Sequence, residues 1–127
     1  MKVRHFAGSV ALATALAMGT ALAGCAPATI PPTALGTVVI VTENEYSIVL
    51  APTQYRPGTY TFEVHNDGGA THNLHITGPG VGDVETPNIA PDGTASLTVT
   101  LESGEYEFYC ATQDHKAAGM DATITVR

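Results

Sequence analysis

From Ala95 to Leu101 the chain alternates without a break: Ala95, Leu97, Val99 and Leu101 are apolar, while Ser96, Thr98 and Thr100 are polar. A period of two sends successive side chains to opposite faces of an extended strand, so this stretch buries one face and wets the other. The rest of the chain beyond Leu35 reads the same way. Val38–Val41 and Tyr46–Leu50 are rich in β-branched and aromatic residues. Arg56-Pro57-Gly58 is a turn that launches Thr59–His65, where Tyr60, Phe62 and Val64 share one face and Thr61, Glu63 and His65 the other. Asn66-Asp67-Gly68-Gly69 closes that strand, His72–Thr77 is expected to form the next, and Gly78–Gly93 reads as a Gly/Pro-rich loop region. Glu102-Ser103-Gly104 turns the chain into Glu105–Cys110, with Tyr106, Phe108 and Cys110 on one face; Ala122, Ile124 and Val126 form the inner face of a last strand. No helical periodicity interrupts them. About seven to eight short strands with regular turns predict an all-β sandwich.

The first 35 residues are of a different kind. Lys2 and Arg4 precede a run from Phe6 to Gly24 without a charged residue, the layout of a secretory leader spanning residues 1–24. The run is rich in Ala and Gly, whereas a permanent transmembrane helix needs about 20 strongly apolar residues. Leu22-Ala23-Gly24-Cys25 looks like the lipobox of bacterial lipoproteins, in which Cys25 is lipidated and becomes the first mature residue. The other reading is an ordinary cleavage site after Ala23 or Gly24 with an incidental Cys. Both export the domain, and the lipobox makes it a membrane-anchored, extracytoplasmic lipoprotein, periplasmic or at the cell surface. Residues 25–35 follow as a Pro-rich, uncharged tether; at ~3 Å per residue it reaches on the order of 30 Å. The folded domain is expected over residues 36–127.

Cleavage after Gly24 leaves three basic residues, Arg56, Lys116 and Arg127, against twelve acidic ones, a formal charge of −9. Phosphate binding needs clustered Lys and Arg, so nucleic acid is excluded as a partner. Such a surface suits a basic protein partner, or serves only to keep the domain soluble. With Cys25 consumed by lipid, Cys110 is left as a lone thiol in an oxidising compartment. Such a thiol is a liability unless something occupies it, and a metal does.

The scarce residue types gather near the C-terminus as Cys110-x4-His115-x4-Met120. Cys110 shares parity with Tyr106 and Phe108, and Met120 with Ala122, Ile124 and Val126, so both aim into the sandwich from strands joined by the loop that holds His115. Thiolate, imidazole and thioether together suit copper: soft sulfur for Cu(I), nitrogen for Cu(II), and a weak axial thioether. Parity also sorts the remaining histidines. His72 falls with Leu74 and Ile76 on the buried face, whereas His65 and His75 are expected at the surface and Asn73 opposite His72. A bulge near the site would shift that register.

With these residues in view, Pro57–Asn66, His72-Asn73 and Tyr106–Cys110 with His115 and Gly119-Met120 resemble a cupredoxin of the plastocyanin/azurin kind, over nearly all of residues 36–127. The resemblance implies a Greek-key β-sandwich with a mononuclear blue-copper site. His72, Cys110 and His115 match its equatorial ligands and Met120 its axial one, around one Cu(I)/Cu(II) ion. It also implies that Asn73 ties the two ligand loops together, holding the ligands behind the metal in their geometry. Two departures stand out. The spacing of four residues between Cys and His is azurin-like, and Gln113-Asp114 replaces the Pro-Gly of many relatives. Losing Pro loosens the loop, and the carboxylate beside His115 favours the oxidised site. Binuclear copper domains need a second Cys in the ligand loop, which this chain lacks.

The expected function is electron transfer by a monomer, to a redox protein such as a cytochrome or terminal oxidase, with no enzyme activity, because four protein ligands leave no open position. The resemblance makes His115 the electron port, beside a small uncharged patch of Ala117, Ala118 and Gly119 and one positive charge, Lys116. A second reading is copper sequestration or delivery, with His65 and His75 adding loose affinity, although the Met- and His-rich stretches of exposed carriers are missing. A third is a sandwich adhesion module whose cluster is vestigial.

Overall fold

The computed structural model describes residues 36–127. The leader, Cys25 and the tether lie outside the described residues. Eight strands follow in chain order: β1 (Thr37–Asn44), β2 (Ser47–Ala51), β3 (Gly58–Asn66), β4 (His75–Gly78), β5 (Gly82–Glu85), β6 (Thr94–Leu101), β7 (Gly104–Tyr109) and β8 (Asp121–Val126). They form two four-stranded sheets, ordered β2-β1-β3-β6 and β5-β4-β7-β8. Within the first sheet β1 and β3 run parallel, and every other neighbouring pair in the two sheets is antiparallel. The expected all-β Greek-key sandwich is the fold.

The alternating patterns decide which face is inside. In β3, Tyr60, Phe62 and Val64 are buried while Thr59, Thr61, Glu63 and His65 are partly exposed. In β7, Tyr106 and Phe108 are buried, and Phe108 meets Phe62 of the facing sheet edge-to-face at 5.1 Å. Stripping such side chains from water is the main stabilising contribution, about 25 cal/mol per Å² of apolar surface. In β1, Val39, Val41 and Glu43 point inward, so an acid occupies a core position with both carboxylate oxygens unpaired.

Three expectations are corrected. The strand expected over His72–Thr77 begins only at His75, because residues 72–74 leave the ladder and pair instead with a loop. His72 exchanges both backbone hydrogen bonds with Ile89, and the Leu74 N–H donates to Thr86 Oγ1 at 3.0 Å. Freed from the pleat, His72, Asn73 and Leu74 are all buried, so Asn73 does not lie on an opposite, solvated face. The Gly78–Gly93 region contains β5, joined to β4 by a tight turn in which Gly80 and Gly82 have φ of 76° and 67°, accessible to glycine without steric penalty. Finally, His75 is not an ordinary surface residue: its side chain is 12 % exposed, held between Asp83 and Glu85 at 3.0 and 2.7 Å and stacked on Tyr109. His65, bonded to Glu63 at 3.1 Å, is the more exposed of the two at 37 %.

Candidate metal centre

One pole of the sandwich collects the donors. His72 comes from the irregular segment before β4, Cys110 from the residue after β7, and His115 from the loop between β7 and β8. His72 Nδ1 lies 3.1 Å from His115 Nδ1 and 3.9 Å from Cys110 Sγ, and His115 Nδ1 lies 3.6 Å from that sulfur. The three donor atoms fall within 4.8 Å of one another, and all three residues are buried. Metal–nitrogen and metal–sulfur bonds of about 2.0–2.3 Å set the donors of one ion about 3–4 Å apart, the spacing found here. Two imidazole nitrogens and a sulfur that turn their lone pairs toward one point suit a soft or borderline cation. The residues fit a copper ion.

The loop that carries His115 is braced by its own backbone. His115 N–H donates to the Thr112 carbonyl at 3.1 Å, Ala118 N–H to Asp114 at 3.0 Å, and Gly119 N–H to Lys116 at 3.0 Å. Met120 N–H returns to the His115 carbonyl at 3.0 Å, and Cys110 N–H to the Met120 carbonyl at 3.1 Å. The last two bonds close the loop at the start of β8 and leave Met120 fully buried beside Cys110. Asn73 joins the two ligand segments: its Oδ1 accepts the Ala111 N–H at 2.9 Å, and its own N–H points at Cys110 Sγ at 3.5 Å.

Two contacts at this pole have no counterpart in the sequence reading. Both come from the turn between β1 and β2, where Tyr46 sits rather than in the strand expected from residue 46. The Tyr46 ring meets His115 edge-on at 5.1 Å, and His115 is only 6 % exposed, whereas the port implied by the resemblance opens directly to solvent. Glu45 Oε1 lies 3.2 Å from His72 Nε2 and accepts the Ala70 N–H at 2.6 Å. The available signal was the polar stretch Glu43-Asn44-Glu45 between two β-rich runs, and an Asn there marks a turn without naming what the turn touches.

Electrostatics favour neutral imidazole facing an anion. Burial holds His72 below the usual histidine range, opposed by the Glu45 carboxylate. The Ala70 N–H, then that of Gly69, holds Glu45 below the usual carboxylate range. Lys116 is not free to add charge to the loop surface, since its ammonium bonds Glu107 at 2.8 Å and lies 4.0 Å over the Tyr109 ring. Ala117 and Ala118 are exposed.

A two-sheet β-sandwich with a buried His-Cys-His cluster at one pole defines a copper-binding cupredoxin. Residues 42–127 match the model for copper binding proteins of the plastocyanin/azurin family, and the chain belongs to that family. Solved structures similar to it include dithionite-reduced auracyanin from Roseiflexus castenholzii, with a TM-score of 0.60, 21 % identity, and coverage of 73 % of this chain and 98 % of that one. Auracyanin A from Chloroflexus aurantiacus, described as a blue copper protein, has a TM-score of 0.58, 16 % identity, and coverage of 72 % and 98 %. Reduced rusticyanin has a TM-score of 0.52, 23 % identity, and coverage of 72 % and 81 %. At these identities the likeness carries the fold. A search of curated proteins returned no match.

Proposed function

We propose that this protein is a mononuclear blue-copper electron carrier, tethered outside the cytoplasm through lipid on Cys25, and not an enzyme. The observation that carries the redox reading is the burial of the donor set. His72, Cys110 and Met120 are fully buried and His115 is 6 % exposed, so no face of the cluster lies open to a substrate. Copper, when bound, supplies a one-electron couple. The chain's own residues hold nitrogen and sulfur donors in one braced arrangement and keep water away, and Met120, buried next to them, would add a thioether to the ligand set.

The same burial counts against copper delivery, which needs donors that an acceptor can reach, and His75 is engaged by two carboxylates rather than free for loose metal. The docking surface in this reading is His115 with Ala117 and Ala118, and Tyr46 forms its outer wall. Its partner is a redox protein such as a cytochrome or terminal oxidase.

The test is a visible spectrum of the whole protein loaded with Cu(II), beside Cys110→Ser. An intense thiolate-to-copper band that bleaches on reduction and vanishes in the variant supports the carrier. Weak absorption indifferent to Cys110 refutes it. Ala117→Glu slows electron exchange with the partner, and an unchanged rate removes the port from this face. For the anchor, mass spectrometry of the membrane fraction is expected to find acylated Cys25; an unmodified Cys25 overturns the tether.

A further inference from the structure

Resting on the copper reading, we propose that Glu45 is a positioning residue for the metal: it fixes His72 as an Nδ1 ligand and places a negative charge behind the ring that favours Cu(II) over Cu(I). A neutral imidazole carries one proton on either of two nitrogens, and the partner of one decides which is free to ligate. His72 Nδ1 faces His115 Nδ1 and Cys110 Sγ, so it is the nitrogen within the donor cluster. Its Nε2 meets one side-chain partner, Glu45 Oε1, at 3.2 Å. A carboxylate only accepts, so the Nε2 proton is retained and the Nδ1 lone pair stays directed at the cluster.

The carboxylate is itself held in place. It accepts the Ala70 N–H at 2.6 Å, two residues before His72. Gly68 leaves room for it: a Cβ at that position would stand 2.7 Å from Oε1 and 2.8 Å from Oε2. The turn between β1 and β2 is thereby fastened to the segment that carries the ligand, and Tyr46, next in the chain, meets the other ligand histidine. A copper(II) ion with a thiolate leaves one net positive charge, and Cu(I) with a thiolate leaves none. An anion behind His72 therefore stabilises the oxidised pair more than the reduced one.

The test compares the midpoint potentials of the whole copper-loaded protein, Glu45→Gln and Gly68→Ala. Gln keeps an acceptor but loses the charge, whereas Ala at position 68 displaces the carboxylate without removing it. Both are expected to raise the potential; outer-shell partners of ligand histidines are worth about 10–100-fold. The lower end, about tenfold in the ratio of Cu(I) to Cu(II) affinity, is ~59 mV for a one-electron couple. A second readout is the His72 Nε2–H resonance of the Cu(I) protein, expected to be protected from exchange and lost in Glu45→Ala. A normal thiolate–copper band with potential and resonance both unchanged overturns the role of Glu45 and leaves the copper reading standing. No thiolate band in the unaltered protein overturns the copper reading, and this inference with it.

Discussion

Glu43 makes the stability of this fold depend on pH in a direction opposite to that of most surface acids. It occupies an inward position of β1, paired across the ladders with Ile48 and Asn66, is fully buried, and has no partner for either oxygen. Burial pushes its carboxyl from 4.5 up to about 7. Between those values the folded protein keeps a proton that the unfolded chain has released, so folding stability falls as pH rises through that window. Below 4.5 both states are protonated and the full stability is present; above about 7 both are charged and the loss is complete. At about 1.4 kcal/mol per pH unit the span amounts to on the order of 3 kcal/mol. Glu43→Gln removes the proton while nearly preserving shape. The assay is urea unfolding of the metal-free protein and the variant across the acidic and neutral range, taking the difference in unfolding free energy at each pH. Other titrating groups cancel in that difference, including His72, whose lowered pKa makes stability fall on acidification instead. The unaltered protein is expected to lose about 3 kcal/mol relative to the variant as pH rises from about 4.5 to 8, and nothing further beyond. A difference that is flat with pH, or that grows in favour of the unaltered protein, refutes the account of Glu43 as a buried, unpaired acid.

Three further outcomes follow from local packing. Tyr46→Ala uncovers His115 and is expected to speed the loss of Cu(I) to a soluble chelator several-fold with little change in the thiolate band, as stopped-flow mixing measures. Tyr106→Phe leaves the Glu102 N–H and the Pro79 carbonyl without the hydroxyl that bonds them at 2.8 and 2.6 Å; about 1–3 kcal/mol of stability is lost, measured by urea unfolding. Gly78→Ala drives a methyl group into the Tyr106 ring at the β4–β5 turn, and overpacking of this kind lowers stability by about 1–3 kcal/mol in thermal melts.

The fold was readable where a strand has one wet and one dry face. β3, β6 and β7 announce themselves because Tyr60, Val99, Phe108 and their neighbours alternate with Thr and Glu. β5 stayed hidden because Val84 is its one partly buried apolar residue, flanked by exposed Asp83 and Glu85. Parity placed His72 inside by comparison with Leu74 and Ile76, and the side chain is inside, yet alternation is not the reason. The segment there leaves the ladder to pair with Ile89, which buries Asn73 as well. The β1 pattern of Val39, Val41 and Glu43 did carry a signal, since the same parity rule sets an acid in the core. Glu45 and Tyr46 were illegible for a different reason. Glu45 meets His72 across 27 residues of sequence, and neither a period nor a motif encodes where a turn will land.

The loss of a proline from the ligand loop looks at first like a loss of stiffness. The geometry argues otherwise. Gln113 adopts a left-handed φ of 49°, a conformation that carries a modest energetic penalty for a residue with a Cβ. A penalty of that kind persists only where the surroundings over-determine it. Here they do: successive turns bond His115 to Thr112, Ala118 to Asp114 and Gly119 to Lys116, and the Met120 N–H returns to the His115 carbonyl. Asn73 then ties the loop's first residue to the opposite ligand segment through Ala111. The restraint that proline supplies by covalent geometry is supplied by hydrogen bonds at both ends of the loop. A donor set fixed by the chain relaxes little when its charge changes by one, and a small relaxation is what rapid electron exchange requires. Rigidity at this pole therefore resides in three separate sets of bonds, at Asn73, at Glu45 and at the β8 end of the loop, and for the electron carrier proposed above loosening any one of them is expected to slow exchange before it unfolds the domain.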